Sequence, residues 1–416
     1  MTAGVPLTPE KQHGRLPAPV TKSKVPVTPN ARVKLELQSA SLEGLAFEIQ
    51  YEILQRLPDL PSLDALVHAS PSYHRAYVAG RQSILAKVLS RDIGPDVLFE
   101  AHAKVKALMT NKKDGSEIRR YLQDYRSTRR EPASVSIERV PLPHIAVLSQ
   151  IQRAVRFAMK DFCQATLSRH PLNGEKEERI MPLSTNEGRR IGRAFYRFEI
   201  FCSMLGQPGF KVKRILNCMD MCHLFLNHFP PWEVEEIACV RDYIIGRYAQ
   251  FFAKHERAIT QRSPEGAPED SSGDDLLYED DMLEHYEERC MSHGLDFLRR
   301  ISQASASDQV SMLRKNLIDT HFFLTRTLEE EPYDYVYRTN AFIDWINKVA
   351  LRFVDDSEGP NAAWAWSNGG VVELFPFQPS KESPRKWGYV MWDKERLDRW
   401  GVLESSNEEY VRQCYD

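Results

Sequence analysis

The chain has 416 residues, which is more than one ordinary core holds and suggests two or three folding units. Its net charge of −3 provides no global field for attracting nucleic acid or an anionic membrane, and no stretch reaches the roughly 18 apolar residues of a spanning helix. With no apolar signal segment and seven scattered cysteines, we expect a soluble, unsecreted protein of the cytoplasm, the nucleus or both, without nucleic-acid or membrane partners.

Residues 1–40 are predicted to be a disordered, proline-rich tail. Six of the 25 prolines lie within residues 1–30, which contain almost no bulky apolar residues. Such a segment cannot bury enough apolar surface to offset the entropy lost on ordering.

Residues 41–92 are divided by prolines and capping residues into three short helices. The first ends at Pro58, the second opens at Pro61, and the third has Ser70 as its N-cap with Pro71 at its first position. So small a unit buries little surface by itself, so its apolar face should lie against the rest of the chain or against a partner.

This segment resembles the F-box. The matching positions are Leu45, Glu48, Ile49, Ile53, Leu54, Leu57, Asp59, Leu60, Leu63, Leu66, Ala69 and Ser70. Ala46 stands where the family has proline, and Tyr73 or Tyr77 stands where it has tryptophan. The continuation through Ile93-Gly94-Pro95 and the tail GYVMWDKERLDRWGVL are similar to filamentous-fungal proteins that begin with a divergent F-box.

The resemblance implies docking on the Skp-type adaptor of a cullin–RING ubiquitin ligase, while the rest of the chain holds a protein substrate. The implied contact is helix-in-groove packing with Leu45, Ile49 and Ile53 as apolar anchors. The implied partner-binding set is Leu45, Glu48, Ile49, Ile53, Leu54, Leu57, Leu60, Leu63 and Leu66. The alternative is that these leucines face the protein's own core as the first helices of an all-α domain.

Residues 93–355 are predicted to form an irregular multi-helix body. Ile145, Val155 and Phe162 belong to one amphipathic stripe that follows the breaker Pro141-Leu142-Pro143. Similar stripes occur at 191–205, 212–229, 232–252, 291–301, 310–328 and 336–353. An acidic segment at 263–288, with eleven acidic residues and no Lys or Arg, should begin as a loop and resume a helix from Leu276.

Residues 356–416 are predicted to form an aromatic cap, because five of the seven tryptophans lie within 37 residues. The runs Val371–Phe377 and Trp387–Trp392 have the composition of two short strands. The tryptophans could line a ligand cleft or, more commonly, seal the cap against the helical body. We expect Trp387 or Trp392 to pack on that body.

Two clusters could carry chemistry. Cys218, Cys222, His223 and His228 are zinc-type ligands, but one continuous helix cannot bring all four together, and small buried cysteines are the commoner arrangement. Arg189, Arg193 and Arg197 form a basic stripe at four-residue steps, suited to phosphate, to the acidic 265–288 segment, or to a solvated or ion-paired helix face.

The chain contains none of the short sequence motifs of fixed spacing that mark nucleotide-binding proteins, zinc proteases or serine hydrolases. We therefore predict a mostly α protein that acts as a non-catalytic, substrate-recruiting ligase subunit with no cofactor and no metal. A helical scaffold without adaptor docking is the first alternative. An enzyme with a pocket in the tryptophan-rich region is the second.

Overall fold

The computed structural model describes residues 41–130, 136–205, 216–260, 280–317, 323–329, 360–367 and 382–404. Within these residues it contains 16 α-helices and no strand, which confirms the mostly α fold class. The helices are α1 Phe47–Arg56, α2 Leu60–Ala69, α3 Pro71–Ile93, α4 Pro95–Met109, α5 Gly115–Arg130, α6 Leu142–Leu167, α7 Thr185–Leu205, α8 Cys218–Leu224, α9 Pro231–Thr260, α10 Asp280–Met291, α11 Leu295–Gln303, α12 Ala306–Arg314, α13 Leu324–Glu329, α14 Ala362–Ser367, α15 Glu382–Lys386 and α16 Lys394–Arg399.

The chain divides after Leu45 into two compact units. The described part of the first unit is a 3-10 turn, Leu42–Gly44, in which the Ser41 side chain accepts a hydrogen bond from the Gly44 amide. All 16 α-helices belong to the second unit, which begins at Ala46.

The first three α-helices follow the predicted prolines and caps, but the third has 23 residues and is not the short helix that was predicted. Helix α1 stops before Pro58, because the residue preceding a proline is disfavoured in a helix. Asp59 caps α2 by accepting a hydrogen bond from the Ser62 amide at 2.9 Å. Helix α3 opens with Pro71 and extends to Ile93, with a local departure from helical geometry at Gly80.

The second unit is built around two helices that are buried along much of their length. Every residue from Arg190 to Met204 in α7 is buried, as is every residue from Pro231 to Val240 in α9. Helix α7 packs against α4, α6 and α9, while α3 and α11 pack on α6, and α10, α12 and α15 pack on α9. Helices α1 and α2 both rest on α3.

Helix α6 confirms the amphipathic stripe predicted after Pro143, with Ile145, Val155 and Phe162 buried. Two other predicted stripes are interrupted. The 291–301 stripe is not one helix, because Gly294 adopts a φ of +78° between α10 and α11. The 212–229 stripe contains only the short α8 and a 3-10 turn at Leu226–His228 among its described residues.

The prediction of a strand at Trp387–Trp392 is wrong. Helix α15 precedes it, and Tyr389–Met391 form a 3-10 turn that starts after Gly388 at φ +67°. A side chain at Gly388 would meet the Phe162 ring, so the chain turns tightly here in order to pack.

The prediction that this tail packs on the helical body is confirmed. Trp392 is fully buried and stacks on Phe162 of α6, with ring centroids 6.2 Å apart. Arg385 donates to Glu235 of α9 at 2.8 Å. Trp387 and Trp400 are also buried, so these rings mainly seal the cap, and Trp400 also borders a small pocket of about 20 Å³.

Some predictions fall outside the described residues. These are the tail at 1–40, the loop at 263–279, the stripe at 336–353 and the strand at 371–377. The helix expected to resume after the acidic loop is present as α10. Among the described helices, none combines the length and apolar character needed to cross a bilayer.

Candidate functional site

The nine residues predicted to bind a partner differ widely in exposure. Leu45 ends the 3-10 turn of the first unit and is half-buried. On α1, Glu48 and Ile49 are exposed, and 49% of Ile49 is accessible. Ile53 is half-buried. The remaining five are Leu54, Leu57, Leu60, Leu63 and Leu66.

Three of these five leucines are covered by the protein's own core. Leu54, Leu60 and Leu63 are at most 2% exposed and belong to the continuous apolar core of the second unit. Leu57 and Leu66 pack against the same core and are partly covered. A partner approaching α1 would therefore meet Glu48 and Ile49, and it would not meet the three buried leucines.

Phe47 is an exposed apolar residue that the motif did not select. It is the first residue of α1, is 48% exposed, and stacks on Tyr51 with ring centroids 6.3 Å apart. Phe47 and Ile49 thus place two large apolar side chains in solvent at the N-terminal end of one helix. We call this pair, together with Glu48 between them, the α1 surface.

Polar contacts fix the opposite end of α1 on α3. The Gln55 amide donates to Ser83 Oγ at 2.9 Å, and Lys87 Nζ donates to Gln55 Oε1 at 2.8 Å. Arg91 donates to the backbone carbonyls of Gln55 and Leu57. The α1 surface is therefore presented on a helix whose orientation is set by a second, longer helix.

Tyr51 and Gly80 bring α1 and α3 close together. A Cβ atom on Gly80 would lie 2.0 Å from the Tyr51 ring, so only glycine permits this approach. The departure from helical geometry in α3 occurs at this same glycine. The Tyr51 ring thus fills the space that a side chain at position 80 would occupy, at the point where α3 departs from helical geometry.

The cysteine and histidine cluster does not form a metal site in the described residues. No group of three or more His, Cys, Asp or Glu side chains there is placed to hold an ion. Cys222 is buried with its sulfur 3.5 Å from Asn227 Oδ1, and the Asn227 amide lies 3.4 Å from His223 Nδ1. These contacts are those of a packed helix end.

The prediction that the arginine stripe of α7 is an ion-paired helix face is confirmed at Arg193 and Arg197. Both residues are buried, so a solvated face is wrong for them. Arg193 binds Glu236 through two nitrogens at 2.7 and 2.5 Å and lies 3.2 Å from Glu233. Arg197 binds Glu100 at 2.8 Å and Glu233 at 2.9 Å. The carboxylates come from α4 and α9, which the sequence did not connect with α7.

Arg129 of α5 completes this cluster by pairing with Glu233. The guanidinium groups of Arg129 and Arg197 also lie 4.7 and 4.3 Å from the centre of the Phe229 ring. We call the set the ionic centre, and its three cations and three anions are Arg129, Arg193, Arg197, Glu100, Glu233 and Glu236.

In the ionic centre, pairing with opposite charges outweighs burial in setting the pKa values of Glu233 and Arg193. Burial opposes ionisation of Glu233, but the guanidinium groups of Arg129, Arg193 and Arg197 outweigh burial and hold its pKa well below the usual range. Burial likewise opposes the charge on Arg193, yet Glu233 and Glu236 raise its pKa. The charged forms of Glu233 and Arg193 are therefore stabilised by their partners, so the centre is suited to holding helices together.

No protein-family model, no curated protein and no solved structure matches this chain.

Proposed function

We propose that the protein is the non-catalytic, substrate-recruiting subunit of a cullin–RING ubiquitin ligase, and that it docks on a Skp-type adaptor through the α1 surface. The proposal rests on the F-box resemblance of residues 41–80. The single structural observation that supports it best is the exposure of Phe47 and Ile49, two large apolar side chains on one end of α1.

Exposed apolar groups of this kind favour a partner interface. Their burial would contribute about 25 cal/mol per Å² of apolar surface, before the entropy of association is subtracted. Glu48 lies between them and is also exposed, so it would sit at the polar edge of such a contact. No catalytic group is needed for this role.

The packing of the second unit supports the recruiting role, because it connects α1 to the rest of the helical body. Helix α3 carries α1 and α2 and packs directly on α6, whose Phe162 contacts the C-terminal cap. A substrate held on the helical body would therefore have a set position relative to the adaptor.

The test compares two isoleucines of equal exposure. Ile49→Asp places a charge in the proposed contact, whereas Ile180→Asp makes the same change at a residue that is 48% exposed and lies between α6 and α7. We expect Ile49→Asp to weaken adaptor binding at least tenfold, as loss of a central apolar anchor does, and Ile180→Asp to leave it unchanged.

Binding would be measured by titrating the purified full chain with a purified Skp-type adaptor. Adding Phe47→Asp to Ile49→Asp should abolish binding. Equal affinities for wild type and the double variant would contradict docking through α1, as would the absence of any binding by the wild type.

A helical scaffold without adaptor docking is the second candidate, and one observation favours it. Leu54, Leu60 and Leu63 are fully covered by the chain's own core, as expected for ordinary first helices of an α-helical domain. In that case the α1 surface binds another protein, and the adaptor titration described above shows no interaction.

A further inference from the structure

A cleft of about 540 Å³ opens between α4 and α5, and none of its lining residues belongs to the α1 surface. The 3-10 turn Ile137–Arg139 borders it. A cleft of this volume falls in the range of small-ligand and short-peptide sites. Nothing in the α1 proposal uses it.

Three aromatic rings line the floor of the cleft. Phe99 stacks on Tyr125 with centroids 5.6 Å apart, and Tyr125 stacks on Tyr121 with centroids 6.3 Å apart. The hydroxyl of Tyr121 donates to the Ala103 carbonyl at 3.0 Å, and that of Tyr125 donates to Glu100. Because both hydroxyls are engaged by α4, the rings offer the cleft mainly apolar surface.

The same two contacts define the direction of the helices. Tyr121 meets Ala103, and Tyr125, one turn later in α5, meets Glu100, almost one turn earlier in α4. The helices are therefore antiparallel, and the cleft is a groove that runs along both of them.

The two walls of this groove carry opposite charges. Helix α4 contributes His102 and the exposed Lys106, and α5 contributes the exposed Asp124. Burial, and then Lys106, lower the pKa of His102, so this imidazole is neutral at pH 7. The 3-10 turn adds one charge of each sign, from Glu138 and Arg139.

These charges are available to a ligand. Within the part of the chain that the structure describes, the side chains of Lys106, Asp124, Glu138 and Arg139 form no hydrogen bond and no ion pair. Glu100, which lies directly beneath the floor of the cleft, differs from these four side chains because it is bound by Arg197 and Tyr125.

We propose that this cleft binds a short peptide segment in which an apolar side chain is flanked by one acidic and one basic residue. The apolar side chain would lie on the ring of Phe99, which is only partly buried and covers Tyr125. The acidic residue would pair with Lys106 and the basic residue with Asp124. The charge complementarity of the two walls selects this occupant over a ligand of a single sign.

An aromatic cage for a quaternary ammonium group is the main competing arrangement. Such a cage surrounds its ligand with ring faces. Here the rings of Phe99, Tyr121 and Tyr125 are within about 21° of parallel and cover one another, and Lys106 stands at the rim. The geometry therefore favours a peptide with both charges.

The inference does not depend on adaptor docking, since the cleft would bind the same peptide in a scaffold protein. The two proposals are separable because they use different residues. Lys106→Glu should weaken binding of the mixed-charge peptide and leave adaptor binding intact. Ile49→Asp should weaken adaptor binding and leave peptide binding intact.

The experiment titrates the full chain with fluorescent peptides and measures anisotropy. The probes share a Gly-Ser surround and differ in their central residues, which are Glu-Phe-Lys, Lys-Phe-Glu, Glu-Phe-Glu, Lys-Phe-Lys, Glu-Gly-Lys and a trimethyllysine sequence. We expect one of the two mixed-charge peptides to bind at least fivefold more tightly than either single-sign peptide, and replacement of Phe by Gly to remove binding.

Charge reversal in the protein provides the sharper measurement. Lys106→Glu should shift the preference to Lys-Phe-Lys, and Asp124→Lys should shift it to Glu-Phe-Glu. A switch of preference cannot arise from unfolding. Lys113→Glu, at an exposed position outside the cleft, should bind as wild type does.

Three results would overturn the proposal. They are no binding of either mixed-charge peptide, equal binding of all charge patterns, and tightest binding of the trimethyllysine peptide. Loss of binding in Lys106→Glu and Asp124→Lys without any switch of preference would also count against it.

Discussion

Helix α1 and the ionic centre distribute apolar and charged groups in opposite ways. On α1, Phe47 and Ile49 are in solvent, and the ion pair between Arg56 and Glu52 is exposed. In the ionic centre the charges are inside, and Arg197 and Glu233 are each 3% exposed. The ionic centre therefore buries charges, which is uncommon, whereas α1 leaves two large apolar side chains in solvent.

The two regions differ in whether the chain itself supplies partners for these buried charges and exposed apolar side chains. Each charge in the ionic centre has an oppositely charged neighbour within the chain, so the centre is complete without a partner. The α1 surface has no such completion among the described residues, and its apolar groups would be covered only by another molecule. We attribute stability to the first region and interaction to the second.

The largest effect is expected from breaking the ionic centre. Glu233→Ala removes the carboxylate that Arg129 shares with the buried Arg193 and Arg197, which should cost about 3–5 kcal/mol of unfolding free energy. Glu52→Ala, which removes the exposed pair on α1, should cost less than about 1 kcal/mol. Urea unfolding of both variants measures the two changes in unfolding free energy. Similar changes in the two variants would show that the buried ion pairs contribute no more to stability than the exposed one.

A second buried carboxyl, Glu287 of α10, extends the comparison to the dependence of stability on pH. The pKa of Glu287 is raised to about 8, first by burial and then by Glu284. Because this value lies above the ordinary 4.5, the protonated form stabilises the folded state fully below pH 4.5, and that contribution is lost as the pH rises toward 8. The loss is at most about 1.4 kcal/mol per pH unit.

Glu287→Gln should therefore match wild type near pH 5 and exceed it in stability at about pH 8.5. Denaturant unfolding of both proteins at the two pH values isolates this one group. A constant difference between them at both pH values would mean that Glu287 titrates normally.

The contact between α1 and α3 is tested at Gly80. Gly80→Ala forces the Tyr51 ring to move and should cost about 1–3 kcal/mol, despite the better helix propensity of alanine. Combining it with Tyr51→Ala should cost less than the sum of the two single losses. Thermal unfolding of the four proteins gives this coupling, and simple additivity would contradict the contact.

The smallest effect is expected at the α1 surface itself. Ile49→Asp should change the unfolding free energy by less than about 0.5 kcal/mol, because exposed positions rarely affect stability. Leu54→Ala, one helix turn further and fully buried, should cost about 2–5 kcal/mol. A large loss for Ile49→Asp would place that side chain in the protein's own core.

Helical periodicity predicted the fold class and several helix positions, because most helices here bury one face. Helix α6 is the clearest example, with Phe162 in its predicted stripe and fully buried. Periodicity also located α7, where the stripe at 191–205 is helical, but it did not show that this helix is buried on all sides from Arg190 to Met204. A single-faced stripe cannot reveal carboxylates such as Glu236 that approach from a distant helix.

The candidate site was only partly predictable for a similar reason. The motif selected Leu54 and Leu60 with Ile49, since spacing alone does not distinguish residues that face a partner from those that face the core. It passed over Phe47, whose exposure depends on how α1 lies on α3. The strand predicted at Trp387–Trp392 failed because alternating aromatics resemble a strand, while the turn at Gly388 is determined by contact with α6.

Hydrogen–deuterium exchange of the full chain, alone and saturated with a Skp-type adaptor, tests the docking proposal most directly. We expect slower exchange in peptides that cover Phe47–Arg56 when the adaptor is bound, and unchanged exchange in Pro231–Thr260 of α9. Bound adaptor with no change across Phe47–Arg56, or protection confined to another helix, would contradict it.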